Sequence, residues 1–551
     1  MSTPGDSGSG APLSIHGERR RRRGGGSGSG EEDCISGLPD ALLHEILVRL
    51  RSAAAAARTS VLSRRWRRVW AHLPELHLVA PPAAAPTSFP ATVDAALGGY
   101  LAPTLERLGV SHTTDQHWRN LRISAGRIAP WLRFAAERVV GELNLYLCVP
   151  QIFAVSTPEV VDEEAALELP VCQRAKRIQL HLQYAYTTWL RPQASGLLFA
   201  ALTSLKIDGY VHMQGSDLTA LVSMQCPCLR DLDLFITLIA IFDVSIHSNS
   251  LHRLMLNVLE TRHLEISAPS LEELVISNPP MEAQISAPKL VKVAWDYHYD
   301  PHLIRFVVGR RLQLLRTSTQ ALSLAMQFHR VDDLNLSVNL DFHDAARYGS
   351  FLNEANKLPK CKSFCIFLWW GRHALLPVML HLLRSCNDTK KLQVHLCGSS
   401  PQPVMHSCLP SCLCRSEESR KIDGIDLNSL EVAEISGFSG SHEQMELVEF
   451  LSNNAGVLKR LLINDEFCSM PKEVREKVRS MCHPNVEVGF FVLRKGRQLG
   501  DDRTRVLPLL SKCVYHDRSV ALVLSQSHHL RNELLVACDY YVELRGTDEK
   551  R

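Results

Sequence analysis

Three cysteines, Cys408, Cys412 and Cys414, form the one group in this sequence whose spacing suggests a metal site. Cys397 lies upstream and several histidines are nearby. A structural zinc site typically takes its four ligands as two pairs, with about two to four residues between the members of a pair, and no second pair is present. The spacing therefore favours reduced cysteines in a loop, with no metal site.

The sequence lacks the patterns that carry catalysis in common enzyme classes. Its 24 histidines include no HExxH pair, and neither a GxxxxGK[ST] phosphate loop nor a GxSxG nucleophile turn is present. The glycine-rich segment at Gly24 to Gly30 precedes no Lys-Ser pair, so a flexible tether is the better interpretation. We therefore predict no catalytic residue and no cofactor. The sequence does not support a metal- or phosphate-dependent enzyme.

The segment RRWRRVW, Arg64 to Trp70, places arginines beside aromatic rings, a combination that stacks nucleic-acid bases in some proteins. On a helix, Trp66 and Trp70 share one face because they are four residues apart, and the arginines flank that face. This arrangement is typical of an apolar core with a solvated rim. Lys plus Arg number 61 against 58 Asp plus Glu, a net charge of +3 that is too balanced for a nucleic-acid binder.

Two further segments upstream of these tryptophans have helical character. LPDALLHEIL, Leu38 to Leu47, starts with Pro39 and Asp40, which suit the first turn of a helix. Its apolar residues, with the next leucine, are predicted to share one face: Leu42, Leu43, Ile46, Leu47 and Leu50. The alanine-rich segment Ser52 to Leu62 also favours a helix. Three short helices within about 45 residues bury little by themselves, so their apolar face predicts an interface.

A strand pattern in which apolar and variable residues alternate recurs through the rest of the chain. Its ten copies begin at Asn120, Glu142, Arg177, Leu202, Leu229, Leu251, Leu271, Leu290, Asp333 and Lys391. Equivalent apolar positions in five successive copies are separated by 27, 22, 20 and 19 residues: Leu205, Leu232, Leu254, Leu274 and Val293. Such spacing is typical of leucine-rich repeats, whose units hold about 20–29 residues. The asparagine expected at the ninth place is absent, which predicts an irregular solenoid of parallel strands.

Taken together, these segments resemble the plant F-box proteins that carry leucine-rich repeats and a C-terminal FBD region. The F-box pattern is matched by Leu38, Pro39, Leu42, Leu43, Ile46, Leu47, Ser60, Val61, Leu62, Ser63, Arg65, Trp66 and Trp70. The segment Leu427 to Ile463 resembles the FBD region, with a strand, a turn, a helix through Met445 to Leu451 and a last strand.

The resemblance implies an α/β repeat fold, with a short three-helix F-box followed by an irregular leucine-rich-repeat solenoid of parallel strands and an FBD segment. Composition and the resemblance together predict a disordered tail at 1–32, the F-box at 33–78, a linker and the start of the repeats at 79–117, the solenoid at 118–424, the FBD region at 425–495, and a tail of unknown role at 496–551.

The same resemblance implies a non-catalytic function. An F-box binds a Skp-type adaptor and, through it, the cullin and RING subunits of an SCF-type (Skp-cullin-F-box) E3 ubiquitin ligase, while the repeats hold a protein target. The implied adaptor-binding residues are Leu38, Pro39, Leu42, Leu43, Ile46, Leu47, Leu50, Val61, Leu62, Trp66 and Trp70. The alternative is a leucine-rich-repeat interaction scaffold whose F-box no longer binds an adaptor.

The repeat pattern also predicts where a target binds. Side chains alternate along a strand, so the third, fifth and seventh places of each repeat face the open side of the sheet. On that side we expect Phe235 and Met255 to anchor a target, with Asp233 and Arg253 setting its orientation beside Lys206.

The remaining features bear on location. The 16 cysteines form no even framework and no apolar signal segment opens the chain, which predicts reduced thiols in the nucleus or cytoplasm. Arg19 to Arg23 are read as a nuclear address or as a solvated charge run. The longest apolar run, Leu234 to Phe242, is far shorter than the roughly 20 residues of a membrane helix, so no membrane association is expected.

Overall fold

The computed structural model describes the chain in twelve ranges and one single residue. The ranges are 38–80, 88–112, 123–148, 166–183, 188–193, 198–340, 345–369, 373–384, 386–397, 412–415, 427–464 and 470–491, and the single residue is Ile425. The predicted tails at 1–32 and 496–551, the arginine run and Cys408 lie outside the described residues.

Three short helices open the described chain: α1 (Asp40–Arg49), α2 (Ala53–Arg58) and α3 (Trp66–Val69). Ser52 caps α2, since its Oγ accepts a hydrogen bond from the backbone N–H of Ala55 at 3.2 Å. Short 3₁₀ turns at Thr59–Val61 and Trp70–His72 complete this part of the chain. The predicted helices are present, and we refer to residues 38–73 as the helical module.

A long parallel sheet follows the helical module. Its strands are β1 (Glu75–Val79), β2 (Leu105–His112), β3 (Val139–Cys148), β5 (Arg177–Gln183), β7 (Ser204–Met213), β8 (Asp231–Leu238), β10 (Arg253–Leu259), β12 (Glu273–Ile276), β14 (Lys292–Trp295), β16 (Arg311–Ser318), β17 (Arg330–Asn339), β18 (Lys360–Trp369), β19 (Lys391–Leu396), β20 (Val432–Ser436), β21 (Arg460–Asn464) and β22 (Glu487–Phe491). Each pairs in parallel with the next in this order. β4 (Leu167–Leu169) and β6 (Thr188–Pro192) join at the side of β7.

A second parallel sheet forms where the repeats are shortest. It contains β9 (Asp243–His247), β11 (His263–Ser267), β13 (Glu282–Ala287) and β15 (Ile304–Val308), each of which lies between two strands of the long sheet in the chain. Apolar side chains of both sheets belong to one continuous core. The chain therefore winds from one sheet to the other in this stretch.

Elsewhere helices lie between most strands of the long sheet in the chain, while β4 and β6 lie on either side of β5. These helices are α4 (Ser88–Gly98), α5 (Ala125–Arg138), α6 (Gly215–Ala220), α7 (Leu322–Ala325), α8 (Ala345–Ala355), α9 (Leu375–Leu383), α10 (His442–Asn454) and α11 (Lys472–Met481). The predicted fold class, an α/β repeat with parallel strands, is confirmed. Within the described part of the chain, no helix has the length and apolar character that crossing a membrane needs.

The repeat sheet begins earlier than the predicted solenoid start at residue 118. β1 pairs with β2, and α4 buries Phe89, Val93 and Leu97 behind them. The alanines and prolines of this region suggested a linker, but Pro90 lies in the first turn of α4, where its missing N–H disrupts no helical hydrogen bond. The described residues 88–112 therefore belong to the first repeats, whose start the sequence predicted within 79–117; of the predicted linker, residues 88–91 are helical.

Candidate interaction surfaces

The helical module has a small core of its own. Six side chains form it, each no more than 6% exposed: Leu43, Leu47, Ala56, Trp66, Val69 and Leu73. Leu38, Val48 and Trp70 are half-buried against them, whereas Pro39 is exposed. Three predicted adaptor contacts, Leu43, Leu47 and Trp66, thus lie inside the module, which corrects their prediction as surface residues.

A second row of apolar side chains on α1 points outward. Leu42, Ile46 and Leu50 are four residues apart and are 43%, 42% and 46% exposed. The sequence predicted a single apolar face, but α1 has two, because Leu43 and Leu47 face the small core while this row faces solvent. Val61 and Leu62, between α2 and α3, are exposed as well. We call these five residues the outward apolar set.

The helical module is joined firmly to the first repeats. Trp70 packs so closely on Gly99, at the end of α4, that a methyl group there would lie 2.9 Å from its ring. The hydroxyl of Tyr100 donates a hydrogen bond to the carbonyl of Leu73 at 2.8 Å, and Ala53 of α2 belongs to the core of the solenoid. The helical module, which carries the outward apolar set, is thus packed directly against the first repeats of the long sheet.

The predicted target surface lies on the face of the long sheet opposite the core. Leu232 and Leu234 are buried, whereas Asp233 and Phe235 are half-buried on the open face, as the period of two requires. Strand pairing places Lys206 opposite Asp233, and Asp233 opposite Met255. The predicted residues thus lie on adjacent strands of one face.

The charges on this face are paired with one another. Lys206 Nζ lies 2.7 Å from Asp233 Oδ2, and Arg253 Nε lies 3.4 Å from Glu273 Oε1. Similar pairs continue toward β1, where Arg107 bridges Glu75 and Glu142. A target that uses Asp233 or Arg253 must therefore compete with an intramolecular partner.

Two residues that sequence analysis missed, Tyr146 and His181, extend this surface beside Phe235. Tyr146 and His181 stack with ring centroids 4.4 Å apart, and His181 Nδ1 lies 2.8 Å from Asp208 Oδ2. Asp208 is the strand neighbour of Phe235. The alternating pattern of β3 and β5 contains the signal, because Tyr146 and His181 occupy the open-face positions of those strands. We refer to Tyr146, His181, Asp208 and Phe235 as the aromatic row.

A cluster of potential metal ligands lies farther along the chain. His373 Nδ1 is 3.4 Å from the Sγ of Cys412, which is also 3.4 Å from the Sγ of Cys414. All three side chains are buried, and their potential ligand atoms lie within 4.8 Å of one another. The sequence suggested no metal site because it showed no second cysteine pair. His373, 39 residues before Cys412, was missed because only the fold brings it near.

Comparison with known proteins agrees with this architecture. The FBD family model matches residues 427–463, which hold β20, α10 and β21. An FBD-associated F-box protein of Arabidopsis thaliana is 23% identical over 497 residues, 84% of this chain and 91% of that protein. F-box/LRR-repeat protein 13 and an F-box/FBD/LRR-repeat protein of the same plant are each 26% identical over 79% of this chain and 90% of their own length. The resemblance to plant F-box proteins with leucine-rich repeats and an FBD region is confirmed.

The FBD region continues the long sheet without a break. β20 pairs with β19, and β22 pairs with β21. Gln444 secures the start of α10, since its Oε1 accepts hydrogen bonds from the backbone N–H groups of Ser439 and Gly440 at 2.7 and 3.0 Å. The strand, turn, helix and strand predicted for this region are present as β20, α10 and β21.

Proposed function

We propose that this chain is the substrate-recognition subunit of an SCF-type E3 ubiquitin ligase. Its F-box binds a Skp-type adaptor, which connects it to cullin and RING subunits, and its repeats hold a protein target. The chain contributes binding and orientation, while recruited enzymes form the isopeptide bond. This role places it in the nucleus, the cytoplasm or both.

The outward apolar set carries the proposal. The core of the F-box is already filled by its own side chains, so Leu42, Ile46 and Leu50 are not needed to complete it. Exposed apolar side chains lower the solubility of a protein. A row of them at helical spacing usually marks a surface that another protein covers. An adaptor helix packed along α1 would cover it.

The join between the F-box and the repeats supports a bridging role. Tyr100 and Trp70 fix the module to the first repeat, so a target on the open face is held at a defined position relative to the adaptor. A rigid connection of this kind raises the effective concentration of the target near the ubiquitin-carrying enzyme.

We further propose that the target binds around Phe235 and Met255. Both side chains are half-buried, so they are available for contact, and the aromatic row extends the same surface. Half-exposed aromatic rings supply contact area at little cost in side-chain entropy. Because the charges beside them are paired internally, we assign Lys206, Asp233 and Arg253 a role in orientation rather than in affinity.

Affinity purification from plant cells tests the proposal. The tagged chain is compared with a variant carrying Leu42→Asp and Ile46→Asp, with the proteasome inhibited. These substitutions are preferable to deletion of the F-box, which would uncover the start of the solenoid core. We expect the variant to lose adaptor, cullin and RING subunits together while it keeps its target.

A control variant with Met224→Asp and Met281→Asp introduces the same charges at exposed methionines outside the F-box. Equal recovery of adaptor and cullin with both variants would contradict the proposal. Recovery of a target with no ligase subunit by the unmodified chain would favour the scaffold alternative.

A further inference from the structure

We propose that His373, Cys412 and Cys414 form a zinc-binding site. The site does not depend on the ligase function, because it lies between α8, the start of α9 and the turn at Leu413–Arg415, far along the chain from the F-box. Its residues come from two segments: His373 lies just before α9, and both cysteines lie in the connection between β19 and β20.

The distances between the ligand atoms fit a tetrahedral ion. With Zn–S bonds of about 2.3 Å and Zn–N bonds of about 2.0–2.1 Å, tetrahedral ligands lie roughly 3.5–3.8 Å apart. The separations from Cys412 Sγ to His373 Nδ1 and from Cys412 Sγ to Cys414 Sγ are both 3.4 Å. Both separations are within a few tenths of an ångström of the tetrahedral values, and the third pair, His373 with Cys414, lies within 4.8 Å, so a rearrangement of these side chains would admit an ion.

The donor set also fits zinc in charge and softness. Two thiolates carry a charge equal and opposite to that of a divalent cation, and the neutral imidazole adds none, so the occupied site is neutral. Neutrality matters because all three side chains are buried, where a net charge is costly. Thiolate and imidazole ligands prefer zinc to magnesium or calcium, which bind oxygen.

The surroundings hold the histidine in place. The His373 ring stacks on Tyr348 of α8, with centroids 4.3 Å apart and an angle of 6° between the planes. α8 also approaches the cysteine turn, because a methyl group on Gly349 would lie 3.5 Å from Leu413 Cδ1. Orientation of a histidine by neighbouring groups is a general feature of metal sites.

Within the described part of the chain, no fourth histidine, cysteine or carboxylate joins the group. Three protein ligands leave a fourth position open, whereas a closed structural zinc site has four protein ligands. We assign the ion a stabilising role, with water completing its coordination. It would join the turn at Leu413–Arg415 to the start of α9, two segments that are distant in the chain, and metal binding of this kind adds to the stability of the folded state.

A disulfide is the competing interpretation for the two cysteines. Their sulfur atoms are 3.4 Å apart, well beyond the roughly 2.05 Å of a disulfide bond. The two states differ in mass, because a disulfide lacks the two thiol hydrogen atoms.

Metal analysis of the purified full chain, kept reduced, tests the site. We expect elemental mass spectrometry to find about one zinc ion per chain. After removal of zinc by a chelator, addition of Co²⁺ is expected to produce a thiolate-to-cobalt charge-transfer band and the intense visible bands of tetrahedral cobalt. The chelated protein should also melt at a lower temperature than the zinc-loaded protein.

Single substitutions identify the ligands. Cys412→Ser, Cys414→Ser and His373→Gln should each weaken zinc binding at least about tenfold. The exposed thiol Cys228 is the matched control, and Cys228→Ser should leave zinc content unchanged. The titration of unmodified protein with Co²⁺ tests for the metal site even if a variant fails to fold.

Three results would overturn the proposal. The first is folded, reduced protein that binds no zinc and gives no thiolate-to-cobalt band. The second is full zinc content in the Cys412→Ser and Cys414→Ser variants. The third is a mass that reveals a disulfide between these cysteines in protein prepared under reducing conditions.

Discussion

The guanidinium of Arg65 donates hydrogen bonds from Nε and Nη2 to the same oxygen of the Asp40 carboxylate, although the two residues are 25 positions apart. Nη2 also donates to the backbone carbonyl of Leu38. One side chain next to α3 thus fixes the start of α1, the helix that presents Leu42 and Ile46. This contact therefore helps to hold α1 against α3.

Replacing Arg65 with alanine should lower the free energy of unfolding of the F-box by about 1 kcal/mol or less, because the pair is largely exposed to solvent. The effect should shrink further in high salt, which screens exposed charges. Chemical denaturation followed by tryptophan fluorescence measures it. Arg67→Ala removes an exposed arginine two residues away and serves as the control; an equal loss in both variants would contradict a specific role for Arg65.

Substitution of Gly437 should be more damaging. Its φ of +72° is unfavourable for other residues, and a Cβ atom would lie 2.1 Å from the carbonyl oxygen of Leu396. We expect Gly437→Ala to reduce the free energy of unfolding by at least about 2 kcal/mol. Gly456→Ala, whose Cβ would meet Asn428 at an ordinary 3.8 Å, should have a small effect. Similar melting of the two variants would contradict this.

Acid should destabilise the chain partly through His395. Burial lowers the pKa of His395, with Lys391 acting in the same direction and Glu434 opposing it. In the unfolded chain this histidine has a pKa of about 6.5 and takes up a proton below that pH, whereas in the folded chain it stays neutral to lower pH. Stability from this residue is therefore complete above about pH 6.5 and is lost as pH falls from there through the lowered pKa of the folded state.

His395→Phe keeps a ring against Phe367, on which His395 stacks, and removes this titration. Between about pH 7.5 and pH 5.5, the melting temperature of the variant should fall by less than that of the unmodified chain. Burial also lowers the pKa of His212 and of His381, so some acid sensitivity should remain. An unchanged loss of melting temperature in the variant would show that His395 does not contribute.

Phe235→Ser with Met255→Ser should abolish capture of the target while adaptor binding and cooperative melting are retained. The half-exposed positions of the two side chains make the substitution tolerable for folding. Targets recovered by affinity purification with the proteasome inhibited provide the measurement. Met224→Ser with Met281→Ser is the control on other exposed surfaces. Full recovery of the target would place recognition on the loops or the FBD region.

The regular apolar patterns made much of the fold predictable. The nine copies of the strand pattern from Glu142 onward correspond to β3, β5, β7, β8, β10, β12, β14, β17 and β19. The remaining copy, at Asn120 to Ile123, lies almost entirely outside the described residues, and Ile123 itself is not in a strand. β1, β2, β16, β18 and β22 were missed, although β2 carries the same apolar spacing in Leu105, Leu108 and Val110.

The second sheet was not predicted, although the repeat spacing contained a hint. Copies separated by 20 and 19 residues leave room for a short return strand but for no substantial helix. In this stretch β11 and β13 take that place, whereas the longer unit after β7 holds α6. Unit length alone does not decide which element lies between the strands of the long sheet, because the units after β5 and β7 are equally long and hold β6 and α6 respectively.

The candidate sites were only partly predictable because they depend on contacts between distant segments. Periodicity alone did not separate Leu43, in the small core, from Leu42 beside it, because both belong to an apolar helix face. The pairing of Lys206 with Asp233 requires the strand register, and the approach of His373 to Cys412 requires the packing of α8 and α9. Sequence spacing carries none of this information.

The affinity of the purified full chain for a purified plant Skp-type adaptor tests the central claim most directly. Isothermal titration should give a well-defined dissociation constant for the unmodified chain. Leu42→Ala with Ile46→Ala should weaken it at least about tenfold, since both side chains would be buried against the adaptor. Met224→Ala with Met281→Ala should leave it unchanged. No binding by the unmodified chain, or equal affinities for the two double variants, would contradict the account.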